Sequence, residues 1–325
     1  MMIAYVRDGA GLRPATSQSG KTPIPAEAVW LDLSSPAAAE RRAASDWVGA
    51  PVPSGEDIGA IETSERLYEA GGALVMTAVL PLIARDPNPM VSTLKIVATP
   101  ERIVTIRQSE TLSVDLAARR LAAGMVQAAS GIDILFALLD AIADRAADVI
   151  EEASAEFDAI SSAVFGQGID SRKAASYKAT IRRIGEIGLK VARMHESCAS
   201  LERLFVYLTL HAKTLRLTGA QRSQCKALGR DIRSIREHAN ALDAKLNFLL
   251  DATVGLVNLE QNQIIKIFSV LAVVFLPPTL IASIYGMNFE GMPELSWTYG
   301  YPFSILIMIA SVLVTFLYFR WKKLL

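Results

Sequence analysis

Ile267–Ile284, IFSVLAVVFLPPTLIASI, runs into Tyr285-Gly286-Met287-Asn288-Phe289-Glu290-Gly291-Met292-Pro293-Glu294 and then into Leu295–Phe319, LSWTYGYPFSILIMIASVLVTFLYF. Neither apolar stretch holds a charged side chain. Each is long enough to supply the ~20 apolar residues a helix needs to cross a bilayer core. Residues 264–325 therefore read as a transmembrane hairpin with a short loop and a basic tail, Arg320-Trp321-Lys322-Lys323.

Flanking charge orients the hairpin. Lys266 precedes the first stretch and Arg320, Lys322 and Lys323 follow the second, whereas the loop carries Glu290 and Glu294 but no Lys or Arg. Basic residues stay on the cytoplasmic side. The expectation is a multi-pass protein of the cytoplasmic (inner) membrane, with both termini inside and the loop outside.

The chain has 325 residues, which predicts two domains at ~150 residues each. Its 33 basic and 33 acidic residues cancel, so net charge points to no polyanionic partner and nucleic acid is not expected. Cys198 and Cys225 are isolated, and the start, Met1-Met2-Ile3-Ala4-Tyr5-Val6-Arg7-Asp8, has no long apolar run. Both features suit a reducing, cytoplasmic N-terminal domain.

Residues 1–112 read as an α/β domain on a small sheet. Apolar runs at 2–6, 29–33, 73–83, 93–98 and 102–106 are separated by clusters such as Pro51-Val52-Pro53-Ser54-Gly55 and Asp86-Pro87-Asn88-Pro89. Ser35-Pro36 before an Ala-rich run predicts a helix with Ser35 as N-cap and Pro36 at its first position.

Residues 113–263 read as a long α-helical stalk region. Helical spacing of apolar residues predicts helices at about 132–164, 171–215 and 220 onward, broken at Gly166-Gln167-Gly168 and Thr218-Gly219. A third helix unbroken to Ile284 would be on the order of 100 Å long, which calls for a bundle between chains. The first helix carries Asp133, Asp140, Asp144, Asp148, Glu151, Glu152, Glu156 and Asp158 against Arg145; the second is rich in Lys and Arg. Two readings stand: complementary solvated faces, or an acidic face, with Asp140, Asp144 and Asp148 at i, i+4 spacing, that also collects divalent cations.

Two membrane helices cannot enclose an aqueous path, so conduction requires several copies, by preference a ring. In the first helix Asn262, Ile265, Ser269, Ala272, Leu276, Thr279 and Ser283 recur at steps of three and four, a face that is small or polar at intervals. The second helix is aliphatic and aromatic, as lipid contact requires. Pro277-Pro278 frees backbone carbonyls, tolerated where helices pack or water enters. Mg²⁺ gives up its water reluctantly. A ring of Asn288 carboxamides with backbone carbonyls can hold a hydrated ion instead, while Glu290 and Glu294 supply negative potential at the outer mouth.

Tyr285-Gly286-Met287-Asn288, then Met292-Pro293-Glu294-Leu295 and Gly300-Tyr301-Pro302, resembles the CorA family of magnesium/cobalt transport proteins, which carries a Gly-Met-Asn signature between two C-terminal membrane helices. Asn258-Leu259-Glu260-Gln261-Asn262 and Pro277-Pro278-Thr279 resemble its enterobacterial branch. The resemblance implies a homopentamer with a cytoplasmic α/β funnel and a stalk helix entering the pore. It also implies passage of Mg²⁺, with Co²⁺ and Ni²⁺ also carried, no organic cofactor, and closure by intracellular Mg²⁺ bound between protomers. By position relative to the signature, Gly286, Met287 and Asn288 match the selectivity filter. Asn262 and Thr279 match polar pore rings, and Ile265, Phe268, Ala272 and Leu276 the narrow hydrophobic part. Asp251 matches an acidic stalk position of the regulatory site, with Glu65 and Glu69 as candidate partners. Where some members have a second stalk aspartate this chain has Ala227, with Asp231 one turn on.

A Zn²⁺ transporter of the same superfamily, with proton coupling left open, is the alternative. His195, His211 and His238 do not fall at zinc-ligand spacing. An enzyme is not expected: no phosphate loop or nucleophile–base constellation is present, and Gly9-Ala10-Gly11 lacks the rest of a dinucleotide fingerprint. A signalling receptor would need a larger outer domain than this loop.

Overall fold

A computed structural model describes residues 1–9, 11–17, 24–53, 66–80, 92–108, 111–126, 130–166, 174–287, 291–293 and 297–322. It divides into two compact units, Met1–Ile169 with Lys178–Leu250, and Asp170–Tyr177 with Asp251–Leu325.

In the first unit, seven strands make one sheet: β1 (Met2–Asp8), β2 (Gly11–Ser17), β3 (Ala28–Ser34), β4 (Leu67–Ala70), β5 (Ala73–Val79), β6 (Thr93–Ala98) and β7 (Ile103–Arg107). Their order is β2-β1-β3-β7-β6-β5-β4. Only the β3–β7 pair is parallel. Every residue of β5 and β7 is buried, because both faces of the sheet are covered; that is why these strands read as mostly apolar runs, with Thr77, Thr105 and Arg107 as their polar members, rather than as alternating ones. Ala44 and Val48 of α1 (Ala38–Val48) join Leu31, Leu33, Val75, Val97, Val104 and Ile106 on one face. On the other, α3 (Gly131–Phe165) packs on β3, β6 and β7 and on α2 (Leu112–Ala122). Fully buried Leu135, Leu138 and Ile142 of α3 each contribute ~1.5–3 kcal/mol by leaving water.

A polar network crosses this second face. Asp32 accepts hydrogen bonds from Arg107 Nη2 at 2.8 Å, Arg107 Nε at 3.1 Å and Thr105 Oγ1 at 2.7 Å. Arg107 Nη1 also donates to Thr111 at 3.3 Å and to Asp115 of α2 at 3.2 Å. Burial pushes the Asp32 carboxyl up from its ordinary value, and the guanidinium of Arg107 opposes the rise.

The predicted strands are present, and two more flank them. β2 and β4 are the sheet edges. β2 tolerates Pro14 because an edge strand does not need every N–H. The helix start differs from expectation. Ser35 is not the N-cap of α1: its φ is +43°, its N–H donates to the Arg107 carbonyl at 2.8 Å and its hydroxyl to the Gln108 carbonyl at 2.9 Å. Ser35 thus ties β3 to the end of β7. The α1 start is closed instead by Glu40, whose carboxylate accepts from the Ala37 N–H at 2.9 Å.

Three long helices follow: α3, α4 (Ala174–Leu210) and α5 (Gly219–Tyr285). Ser130 caps α3 by accepting from the Asp133 N–H at 3.2 Å. α4 ends at Leu210, short of the expected 215, but a Leu215 N–H bond to the His211 carbonyl continues helical pairing. Arg216, at φ +53°, then reverses the chain. The Leu217 N–H reaches back to the Ala212 carbonyl and the Arg216 N–H to the Lys213 carbonyl, a Schellman closure built without glycine. Thr218 and Gln221 form a reciprocal cap for α5: Gln221 N–H donates to Thr218 Oγ1 at 3.2 Å, and Thr218 N–H to Gln221 Oε1 at 3.0 Å.

α5 has 67 residues and passes Pro277 and Pro278 without ending. In the second unit it is followed by α6 (Gly300–Trp321). Cys198 and Cys225 are buried free thiols. Burial pushes Cys198 up to about 11, with Glu202 adding to the rise.

Candidate cation pathway

α5 positions the expected pore face. Asn262, Ile265, Phe268, Ala272, Leu276, Thr279 and Ser283 all lie on this one helix and all are exposed. Ile265 is 54% exposed, and Phe268 and Leu276 are 66% exposed. A single chain leaves this apolar face largely open, so lipid or further copies must cover it. None of the most apolar window of α5 is buried. Among the described residues α6 is the second apolar helix of spanning length, and the two fit a two-span membrane topology.

The side chains of α6 suit contact with lipid. Ser304, Ser311 and Thr315 discharge their hydroxyl protons onto the carbonyls of Tyr301, Met308 and Ser311 at 2.7–2.8 Å, so none needs an outside acceptor. Trp297 packs edge-on against Tyr299 and Phe303, and Tyr318, Phe319 and Trp321 lie at the opposite end of α6. Aromatic side chains at both ends match the two interfaces of a bilayer.

Within α5, prolines 277 and 278 remove the N–H groups that would bond the carbonyls of Val273 and Val274. Thr279 turns its hydroxyl inward on the helix, donating to the Phe275 carbonyl and lying 3.3 Å from the Leu276 carbonyl. Its oxygen lone pairs stay available as acceptors.

The helix closes at the signature. Gly286 N–H bonds the Ala282 carbonyl at 2.9 Å, and Met287 N–H bonds the Ile284 carbonyl at 3.2 Å. A Cβ at position 286 would stand 3.1 Å from the Ala282 oxygen, so glycine lets the last turn tighten there. Asn288 and Glu290, and likewise Glu294, lie outside the described residues.

Asp251 is exposed on α5 and belongs to the second unit; Glu69 is exposed on β4 in the first. Glu65 lies outside the described residues. Among the described residues, no group of three or more His, Cys, Asp or Glu side chains is gathered as a metal site. His211 instead bonds the Tyr207 carbonyl at 3.0 Å through Nδ1 and packs on the Tyr207 ring. Gly9, at φ +60°, turns the β1–β2 hairpin, and Gly11 makes room for the Leu121 carbonyl at the end of α2.

The acidic face of α3 meets cations that pairing with α4 alone would not predict. Arg120, at the end of α2, bridges Asp140 at 3.3 Å and Asp144 at 2.7 Å, while Arg145 pairs with Asp148 at 3.6 Å and Glu152 at 3.2 Å. Lys190 of α4 reaches Glu156 at 2.6 Å. Burial and then Asp144 push the Asp140 carboxyl up; Arg120 opposes and Asp231 adds to the rise. The only sequence signal for Arg120 was a basic pair, Arg119-Arg120, at a helix end.

Comparison with known proteins agrees with this architecture. The family model described as CorA-like Mg2+ transporter protein matches residues 25–323. The magnesium transport protein CorA of Salmonella typhimurium is 34% identical over 299 residues, covering 91% of this chain and 92% of that protein. In structure, the complete CorA magnesium transporter from Methanocaldococcus jannaschii is similar with a TM-score of 0.73 at 18% identity, covering 98% of this chain and 97% of that one. The ZntB cytoplasmic domain from Vibrio parahaemolyticus shares the fold with a TM-score of 0.54 at 10% identity, over 79% of this chain and 97% of that domain. An α/β domain, a long helix and a second apolar helix, in a sequence matched along nearly its whole length, make this chain a member of the CorA family of membrane transporters, not an enzyme.

Proposed function

We propose that this chain is one protomer of a homopentameric channel that admits hydrated Mg²⁺ through the cytoplasmic membrane, with Co²⁺ and Ni²⁺ as further cargo. The observation that carries this reading is the face of α5 from Asn262 to Ser283, small or polar at intervals and open in the single chain, in a member of this family. Five copies of that face around an axis make a path that two helices cannot. The driving force is the membrane potential, worth ~2.3 kcal/mol per charge per 100 mV, so no nucleotide is consumed.

In this mechanism Glu290 and Glu294 raise the cation concentration at the outer mouth. Asn288, with Gly286 and Met287 shaping the turn, hydrogen-bonds the water shell of the ion. Thr279 and Asn262 offer acceptors along the path, and Phe268 and Leu276 close it by excluding water. Closure by intracellular Mg²⁺ rests on Asp251, with Glu69 and Glu65 as partners from the α/β domain. Asp251 makes no ion pair among the described residues, and a carboxylate oxygen is the ligand Mg²⁺ takes.

The test is uptake into vesicles holding the purified protein, assayed for Mg²⁺, Co²⁺, Ni²⁺ and Zn²⁺, with and without a pH gradient. Potential-driven Mg²⁺ entry that ignores the pH gradient supports the channel. Zn²⁺ entry that follows the gradient would replace it with the proton-coupled alternative.

A further inference from the structure

Between the two membrane helices, near their cytoplasmic ends, lies a cavity of about 450 Å³. Ile267, Val270, Leu271 and Val274 of α5 and Phe316 of α6 line it, with Gln263 and Lys266 as the polar lining on the side toward the start of the apolar stretch. The apolar walls exclude an ion. The polar end is different: Lys266 is exposed, and Arg320, one turn beyond Phe316 on the same side of α6, is exposed too. Neither pairs with an acid among the described residues.

Helix geometry fixes where this groove points. Ile267 follows Ile265 by two residues, Val270 precedes Ala272 by two, and Val274 stands two from both Ala272 and Leu276. Two residues turn a helix by ~200°. The groove therefore lies on the side of α5 opposite the face from Asn262 to Ser283. With that face on the channel axis, the groove opens away from the axis, toward the bilayer.

We infer that this groove is a binding site for an anionic phospholipid of the cytoplasmic leaflet, one acyl chain lying against Val270, Val274 and Phe316 and the headgroup phosphate held by Lys266 and Arg320. The inference rests on the channel reading for the direction of the groove. Its chemistry is that of a basic pocket between membrane helices on the cytoplasmic side, where anionic lipids are concentrated. A second copy of α5 entering at the same level would bring its own Lys266, a like charge, against the two basic side chains.

The test uses the full chain extracted in mild detergent with equal amounts of phosphatidylglycerol and phosphatidylethanolamine, the retained lipid being counted by native mass spectrometry. Two basic side chains at ~1 kcal/mol each predict a phosphatidylglycerol preference of about thirtyfold. Lys266→Gln with Arg320→Gln should bring that preference close to parity. Val270→Trp, which fills the groove, should reduce bound lipid of both kinds. An unchanged preference in the double variant overturns the site. So does efficient cross-linking of Val274→Cys to another copy by a short bismaleimide, because a protein helix then occupies the groove. Cation uptake by the same proteins returned to sealed vesicles separates the two readings: lipid retention without uptake removes the channel and keeps the lipid site, and uptake without retention does the reverse.

Discussion

Ser200 of α4 accepts a hydrogen bond from the backbone N–H of Val79 at 3.1 Å, across 121 residues of chain. Ser197, one turn earlier, donates to the carbonyl of the same Val79 at 2.8 Å. Both serines are buried, as is Val79, so a helix supplies both backbone partners at the last residue of β5. Sheet and stalk helix are joined there by backbone groups that have no water to fall back on.

Replacing Ser200 by Ala should lower stability by ~1–3 kcal/mol, the cost of leaving a buried backbone group unpaired. Ser197→Ala should do the same. The melting temperature of the full chain in detergent is the measurement. A pair of variants that melt with the parent would mean that α4 does not hold β5 in this way.

Asp32 and Arg107 sit 1% and 8% exposed in side-chain terms. Removing the cation by Arg107→Ala leaves a buried carboxylate and should cost ~3–5 kcal/mol. Replacing both residues by apolar ones of similar volume should cost much less. Chemical denaturation of single and double variants reads the difference, and equal losses in the two would remove the argument from an unpaired charge.

Asp140 gives a pH prediction with a definite sign. Burial and Asp144 raise its folded-state value above the ordinary one, so the folded chain binds this proton more tightly than the unfolded chain. Its contribution to stability is full below the ordinary aspartate value and is lost as pH rises through the folded value. Asp140→Asn cannot ionise. Its melting temperature relative to the parent should therefore climb as pH rises from the ordinary aspartate value through the raised folded-state value. A difference that falls over that range would show that attraction to Arg120 outweighs burial and Asp144.

At the outer loop, Asn288→Ala should abolish Mg²⁺ uptake while leaving the assembly intact by size-exclusion chromatography. Phe268→Ser and Leu276→Ser should do the opposite and leak ions at resting potential, because a polar ring no longer excludes water. Uptake by Asn288→Ala at the parent rate would sink the filter assignment.

The chain made some of this architecture plain and hid the rest for physical reasons. The membrane helices could be read because a charge-free run of spanning length has few other uses. β5, β6 and β7 could be read because both faces are covered, leaving runs dominated by apolar residues even though Thr77, Lys95 and Thr105 interrupt them. β2 and β4 could not, since Arg13, Pro14 and Glu69 are what an exposed edge allows and a loop also contains. Ser35 had the composition of a cap but spends its hydroxyl on Gln108, a partner 73 positions away that no local pattern reveals. Arg120 was invisible as the partner of Asp140 and Asp144 because that meeting depends on how α2 packs on α3. The groove between α5 and α6 needed the two helices side by side.

Within the second unit α5 is helical from Asp251 to Tyr285, so the direction of each face there is set by counting. Ile265, Ala272 and Leu276 fall on one side and Ile267, Val270 and Val274 on the other. Adding one residue between Ile267 and Val270 would swing everything beyond by ~100°. Adding seven would bring it back to within ~20°. The length of that stretch works like the graduations of a vernier: it can change by whole heptads and keep the two sides in line, but a single insertion or deletion would turn Ala272 and Leu276 away from Ile265 even with every side chain intact.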